Sequence, residues 1–424
     1  MEDTALKFPN EIYDKALEEV VSKHLNLSKG EYEARFKEGS SKGDNYNGII
    51  YRVEIVKDEE VKMSIIVKLP PDNTARREEF LIHKSFFQEA DFYDNIYPMY
   101  KKFQEERGID VQKDGFFEVP VCYKTLSEDP LEGLFFGDLK VTGFSMFDRK
   151  KDLTKDHIFL VIEALAKMHA TYFSIKDQKP ELVEKYKDIE DYILQQCRRK
   201  EAAMKIFNEK MKNQALDVLK YCKNEELVKR VKEVLSPELH FLLEEGNDVQ
   251  AAEPYAILCH GDCWMNNVMY QYDENGTPIE CRLLDHTIMR YASPITDLVY
   301  LLFSSTTKSL RDKHYNEFMN VYYDKLSDFM QRLGSDPATV FPRDVFESHL
   351  KQFGKFGLAM AIILVPMVTS DADDAPEIDD VADAFKDNKE QSGDVMNFTT
   401  EKTLKVYEQR MMGIFEDMYN YGYI

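Results

Sequence analysis

The hydrophobic periodicity of the chain changes once, near residue 140, and that change limits the possible folds more than any other feature. Upstream, short segments alternate apolar and polar residues with the two-residue period of strands; downstream, apolar residues recur every three to four positions, as on one face of a helix. In Val61-Lys62-Met63-Ser64-Ile65-Ile66-Val67-Lys68-Leu69 the alternation puts Val61, Met63, Ile65, Val67 and Leu69 on one face. Ile66 and Lys68 fall on the other face, and Pro70-Pro71 ends the strand. Further strands are expected within residues 32–69, over 116–123 and over 133–136, and helices over 11–25 and 76–95. Beyond 140, a helix starting at Asp156 carries Ile158, Val161, Ile162, Leu165, Met168, His169 and Tyr172 on one face, His169 as a satisfied core histidine. Similar patterns cover much of 189–244, 313–333, 345–364 and 400–419. Residues 255–284 interrupt them with three short apolar runs and a hairpin signal, Asp273-Glu274-Asn275-Gly276.

The expectation is an α+β chain with a small β-rich amino-terminal lobe, residues 1–136, and a larger helical lobe, residues 137–424. The length of 424 residues suits two lobes, since single domains usually run to about 100–200 residues. An excess of 77 acidic over 55 basic residues, a formal charge of -22, would repel a polyanion, so no nucleic-acid partner is expected. The apolar run over 356–368 is too short to span a bilayer and contains Pro366, so no membrane partner is expected either. The amino terminus lacks a basic start and an apolar stretch, which points to the cytoplasm, and a monomer is expected. The six dispersed cysteines read as reduced thiols, and the acidic stretch 370–383 as a solvated loop.

The segment richest in chemistry is Cys259-His260-Gly261-Asp262-Cys263-Trp264-Met265-Asn266-Asn267, followed by Leu283-Leu284-Asp285-His286. Phosphoryl transfer from ATP needs a carboxylate to orient and deprotonate the accepting hydroxyl, and oxygen ligands for the magnesium that bridges the phosphates. Asp262, Asn267 and Asp285 supply those groups, with the base and the amide at opposite ends of one short loop. Read alone, the loop is equally an ordinary turn in which Asp and Asn bond the local backbone. An upstream strand lysine, a helix glutamate and a glycine-rich segment in kinase order favour the chemical reading.

These residues, continued by Arg290-Tyr291-Ala292-Ser293-Pro294 and Asp297-Leu298-Val299-Tyr300, resemble the insect ecdysteroid kinase-like family. That family is related to choline kinases and aminoglycoside phosphotransferases and shares the two-lobed protein-kinase-like fold. The resemblance implies Asp262 as catalytic base, Asn267 and Asp285 as magnesium ligands, and Lys68 as the holder of the ATP phosphates, oriented by Glu89. It implies a hairpin over the phosphates that includes Gly39, Ser40, Ser41, Gly43 and Asn45, although a plain glycine-rich turn fits these residues equally well. Ile66 and the lobe-joining segment with Phe135, Phe136 and Asp138 complete the implied nucleotide site, the backbone of that segment pairing with adenine and its side chains contributing only packing. Asp297 resembles a buried acid that holds the loop backbone, and Trp264 reads as packing. The chain departs from the family pattern at Cys263, at Gly137 and at His286, which stands where an aromatic Phe is usual and would loosen the metal-binding turn or make it sensitive to pH.

Together these features point to an ATP- and magnesium-dependent phosphotransferase acting on a hydroxylated small molecule. The resemblance implies an apolar acceptor such as an ecdysteroid or a hydroxylated xenobiotic; Phe353, Phe356, Met360 and Met367 would be able to line a pocket for it, although they read more readily as simple core. Two alternatives stay open: a choline- or aminoglycoside-type kinase with a cationic acceptor, and a nucleotide-binding pseudokinase.

Overall fold

In the computed structural model, residues 6–39, 48–199, 201–371, 376–386 and 398–424 are described. The alternating segments form β1 (Glu33–Glu38), β2 (Ile49–Lys57), β3 (Glu60–Leu69), β4 (Cys122–Leu126) and β5 (Gly133–Gly137). They make one antiparallel sheet of order β1-β2-β3-β5-β4. The β2–β3 turn holds Asp58 at φ 54° and Glu59 at φ 64°, the left-handed pair whose twist matches that of the flanking strands. The β3 alternation then decides which side of the sheet becomes core. Ile65, Val67 and Leu69 are fully buried against the Glu11–Leu25 helix, where Leu17, Val20 and Val21 meet Val53 and Ile55 of β2. Asn10 caps that helix through its side chain, and Asn26 ends it in the left-handed conformation. With one face spent on this core, Ile66 and Lys68 face the rest of the protein.

Helices make up most of the remainder. The Lys155–Gln178 helix is apolar on nearly every side, and 83 % of its most hydrophobic stretch is buried inside the helical body, as the central helix of a globular lobe requires. The Ile295–Ser305 helix and the Phe356–Thr369 helix are equally sheltered. Three small strands, β6 (Phe144–Met146), β8 (Val268–Tyr272) and β9 (Pro278–Leu283), form a second sheet of order β6-β8-β9, and β7 (Ile257–Cys259) pairs with β10 (Arg290–Ala292). The expected hairpin at residues 273–276 joins β8 to β9. The carboxy-terminal helix Leu404–Asn420 is pinned by Asp417, which accepts from Arg311 Nε at 2.6 Å and Lys308 Nζ at 2.9 Å.

Four expectations are corrected. The helix expected over 76–95 is broken: Leu81 adopts φ 47°, separating Thr74–Glu79 from Ile82–Asp91, and a π-helical turn follows at Phe92–Ile96. The strand expected over 116–123 begins only at Cys122, because Phe116 N–H bonds to the Gln104 side chain at 2.7 Å and Pro120 has no N–H to pair. The pattern over 345–364 belongs to two helices bent by 53°; the break includes Gly354, against which the Tyr423 ring packs so closely that a Cβ would lie 2.7 Å from it. The acidic stretch is only partly a loop. Residues 372–375 lie outside the described set, but Ile378–Lys386 is a helix with Val381 and Ala382 buried, and Asp379 approaches Arg76 at 3.4 Å. Its acids lie on the outer side while alanine and valine pack inward.

Because Ile65 is fully buried under the Glu11–Leu25 helix, Ile65→Ala is expected to lower the unfolding free energy by about 2–5 kcal/mol. Urea denaturation measures it.

Candidate active site

Lys68 leaves β3 on the face away from the sheet core and meets two carboxylates. Its Nζ lies 2.7 Å from Glu89 Oε2, on the Ile82–Asp91 helix, and 3.2 Å from Asp285 Oδ1, just beyond β9. Lys68 and Glu89 are almost wholly buried. Burial alone would depress the Lys68 ammonium, but the Asp285 and Glu89 charges outweigh it and hold its pKa above the ordinary value. Burial likewise pushes Asp285 up, yet Lys68 and the Thr287 hydroxyl, 2.6 Å away, bring it below the usual carboxylate range. Glu89 is raised by burial, with Lys68 pulling the other way. Asp285 sits at φ 65°, a left-handed conformation that Asp tolerates better than most residues.

The loop after β7 is held from below. Asp297 accepts the backbone N–H of His260 at 2.7 Å and of Gly261 at 2.9 Å, and His169 Nε2 lies 3.1 Å from the same carboxylate. His169 is therefore a core histidine with both ring nitrogens used, the second by Tyr322 at 2.8 Å. Gly261 is required: its φ is 86°, and a Cβ there would lie 2.0 Å from the Ile288 carbonyl. This anchored turn projects Asp262 toward Asn267, whose Nδ2 donates to Asp262 Oδ2 at 2.8 Å. Tyr300 donates to Asp262 Oδ1 at 2.5 Å. Burial and the nearby Asp285 charge raise Asp262 to about 6, against the lowering effect of these two hydrogen bonds. Trp264 is buried, as expected of packing.

A cleft of about 430 Å³ runs between the sheet and this loop. Of the residues expected at the site, Gly39, Ile66, Lys68, Glu89, Phe136, Asp138, Asn267 and Asp285 line it together. Asp262 joins them through Asn267. Ser40, Ser41, Gly43 and Asn45 lie outside the described residues. The β5 alternation sends the Phe135 ring to the opposite face, where it packs in the core with Phe8 and Leu69. The backbone at the end of β5 is also largely occupied, with Gly137 N–H donating to Val121 O and Asp138 N–H to Ser64 O. Asp138 itself is an anchor, taking Ser64 Oγ at 2.8 Å, Lys140 N–H at 3.0 Å and an ion pair with Arg52.

His286 neither loosens the turn nor makes it pH-sensitive. Its ring stacks on Phe92 with centroids 3.5 Å apart and planes 12° from parallel, and its backbone N–H donates to Glu89. Burial, with His260 and Lys68 nearby, drives the imidazole well below its usual range, so it stays neutral. Phe353, Phe356 and Met360 are buried in the core and Met367 packs against it; none lines the cleft. Sequence reading missed Arg52, Tyr300 and Thr287. Tyr300 stands three residues after Asp297 on one helix, so helical spacing places both on the face toward the loop.

The donor set fits a hard divalent cation. Asp285 is held ionised, and Asn267 spends its amide nitrogen on Asp262 and its main chain, which leaves the side-chain oxygen to coordinate. Both residues line the same cleft as Lys68.

The model of the ecdysteroid kinase-like family matches residues 42–335, more than half of the sequence. The chain belongs to the ecdysteroid kinase-like family. That match takes in Lys68, Glu89, Asp262, Asn267, Asp285 and Asp297. No curated protein matches the sequence. Among solved structures, wild-type aminoglycoside 2'-phosphotransferase-IIIa in its GDP complex aligns at 8 % identity and TM-score 0.41, over 96 % of this chain and 99 % of that one. The GDP and kanamycin complex of APH(2")-IIia aligns at 10 % identity and TM-score 0.38, over 95 % and 99 %. Values this low transfer neither fold nor substrate, and the architecture of this family member rests on its own strands and helices.

The Asp297 clamp predicts a structural phenotype. Asp297→Ala leaves two buried N–H groups unpaired, each worth about 1–3 kcal/mol, so the melting temperature falls in calorimetry.

Proposed function

We propose that the protein is a small-molecule kinase that transfers the γ-phosphate of ATP to a hydroxyl of a largely apolar acceptor, such as an ecdysteroid or a hydroxylated xenobiotic. The observation that carries this reading is the buried Lys68 between Glu89 and Asp285, in one cleft with Asn267, which is hydrogen-bonded to Asp262. Family membership supports the kinase class and the hydroxylated acceptor.

In this reading Lys68 holds the phosphates as a fixed positive charge, and Glu89 keeps its ammonium in place. Asp262 accepts the proton of the acceptor hydroxyl as that oxygen bonds to the γ-phosphorus. The bond from the γ-phosphorus to the bridging oxygen breaks, and ADP leaves with the electron pair. Tyr300 and Asn267 each hold one oxygen of Asp262, so the carboxylate cannot rotate away from the incoming hydroxyl. Magnesium held by Asn267 and Asp285 would neutralise charge on the phosphates.

Two neighbouring carboxylates are shifted in opposite directions, which separates their roles: Asp285 is held ionised as a ligand, while burial lifts Asp262 to about 6, where it serves as a base. Asp262 works only when deprotonated. The acidic limb of kcat/KM therefore rises with pH through about 6 and levels off above it. Asp262→Asn loses turnover while keeping nucleotide binding close to that of the wild type; activity retained within a few-fold would contradict the assignment.

The acceptor is tested by ATP consumption against hydroxysteroids, plant glycosides and amino alcohols. Phosphorylation of a hydroxysteroid that is insensitive to salt is expected. Preference for choline or an aminoglycoside, weakening as ionic strength rises, would overturn the apolar acceptor.

A further inference from the structure

Lys68 is joined to Glu89 and Asp285 and pairs across the sheet with Ile50. Two residues along the strands on the same face, Arg52, Ile66 and Phe136 form the next cross-strand row, and Met146 and Met269 add apolar lining beside the charged Glu38, Asp138 and Lys140. A nucleotide divides into charged phosphates and a flat base, so with the phosphates at Lys68 the base falls along the sheet toward that row. Arg52 supplies the cation of the row. Arg52 on β2 is the direct cross-strand partner of Ile66, and Ile66 shares the Lys68 face of β3.

The surroundings of Arg52 give it more than a pairing role. Its Nε is 2.8 Å from Asp138 Oδ2 and its side chain is 20 % exposed, yet that buried nitrogen makes no aligned hydrogen bond. Asp138 is committed on its other sides to Ser64 and the Lys140 N–H. The carboxylate thus compensates the charge without using up the planar fork of the guanidinium. A guanidinium is flat, weakly hydrated and stacks on aromatic faces, which an ammonium cannot do.

We propose that Arg52 grips the base of the nucleotide, its guanidinium anchored at one edge by Asp138 and stacked on the purine ring beside Ile66 and Phe136. The ligand's identity rests on the kinase reading, and the inference adds a residue that sets affinity for the base rather than for the phosphates. Pyrimidine nucleotides offer a smaller face and bind more weakly.

The test titrates the full-length protein with ATP, CTP and inorganic tripolyphosphate, the last having the phosphates and no base. Arg52→Met is expected to weaken ATP binding by about tenfold while leaving tripolyphosphate within about twofold. Arg52→Lys keeps the charge and the ion pair, and is expected to recover only part of the loss because it has no flat face. Should Arg52→Met fail to fold, the lysine variant alone carries the reading: weaker ATP with unchanged tripolyphosphate supports the inference, and unchanged ATP overturns it. Equal loss of ATP and tripolyphosphate would also overturn it, leaving Arg52 a brace for Asp138. Wild-type protein that binds no nucleotide overturns both this inference and the kinase reading. Wild-type binding that Arg52→Met leaves intact removes the inference alone. Selective loss of ATP binding in a protein that transfers no phosphate supports the inference and defeats the kinase reading.

Discussion

The ammonium of Lys68, buried between two carboxylates, ties the site to the fold. A lone buried charge is expensive, and removing one partner of a buried ion pair costs about 3–5 kcal/mol because the remaining charge is uncompensated. Here the compensation comes from three separate parts of the chain: β3, the Ile82–Asp91 helix and the turn after β9. Satisfying one cation therefore fixes the sheet, the helix beneath it and the loop system relative to one another. His286 strengthens the junction by stacking on Phe92 and donating its backbone N–H to Glu89.

A second layer holds the loop that carries Asp262. Asp297 binds two successive backbone N–H groups and His169, and Arg290 donates to the Gly261 carbonyl, so the turn is bonded on both sides before any ligand arrives. Preorganisation of this kind separates the functions of three nearby acids. Asp297 is a support, Asp285 is kept charged by Lys68 and Thr287, and Asp262 is lifted by burial into a range where it can exchange a proton.

Much of this was legible in the sequence because it depends on short-range pattern. Alternation in β3 separates Lys68 from the sheet core, and the order of Asp262, Asn267 and Asp285 follows the loop and strand that carry them. Legibility ends where a residue matters through a distant partner. Arg52 reads as an ordinary strand arginine until β5 brings Asp138 beside it, and His286 reads as a titrating group until Phe92 covers it. Phe135 and Phe136 are adjacent in sequence, but strand alternation gives one to the sheet core and the other to the cleft. The break at Leu81 is a single left-handed residue that no spacing signals, and the helix at Ile378–Lys386 forms within an acidic stretch because its apolar side has a surface to cover.

The most direct measurement is a calorimetric titration of ATP into wild-type protein and Asp285→Asn, each with and without magnesium. Wild-type affinity is predicted to rise with magnesium, and Asp285→Asn to lose that increase because the amide cannot supply the charge that holds the ion. An equal gain in affinity from magnesium in both proteins would contradict the account, since the ion would then be held by groups other than the one paired with Lys68.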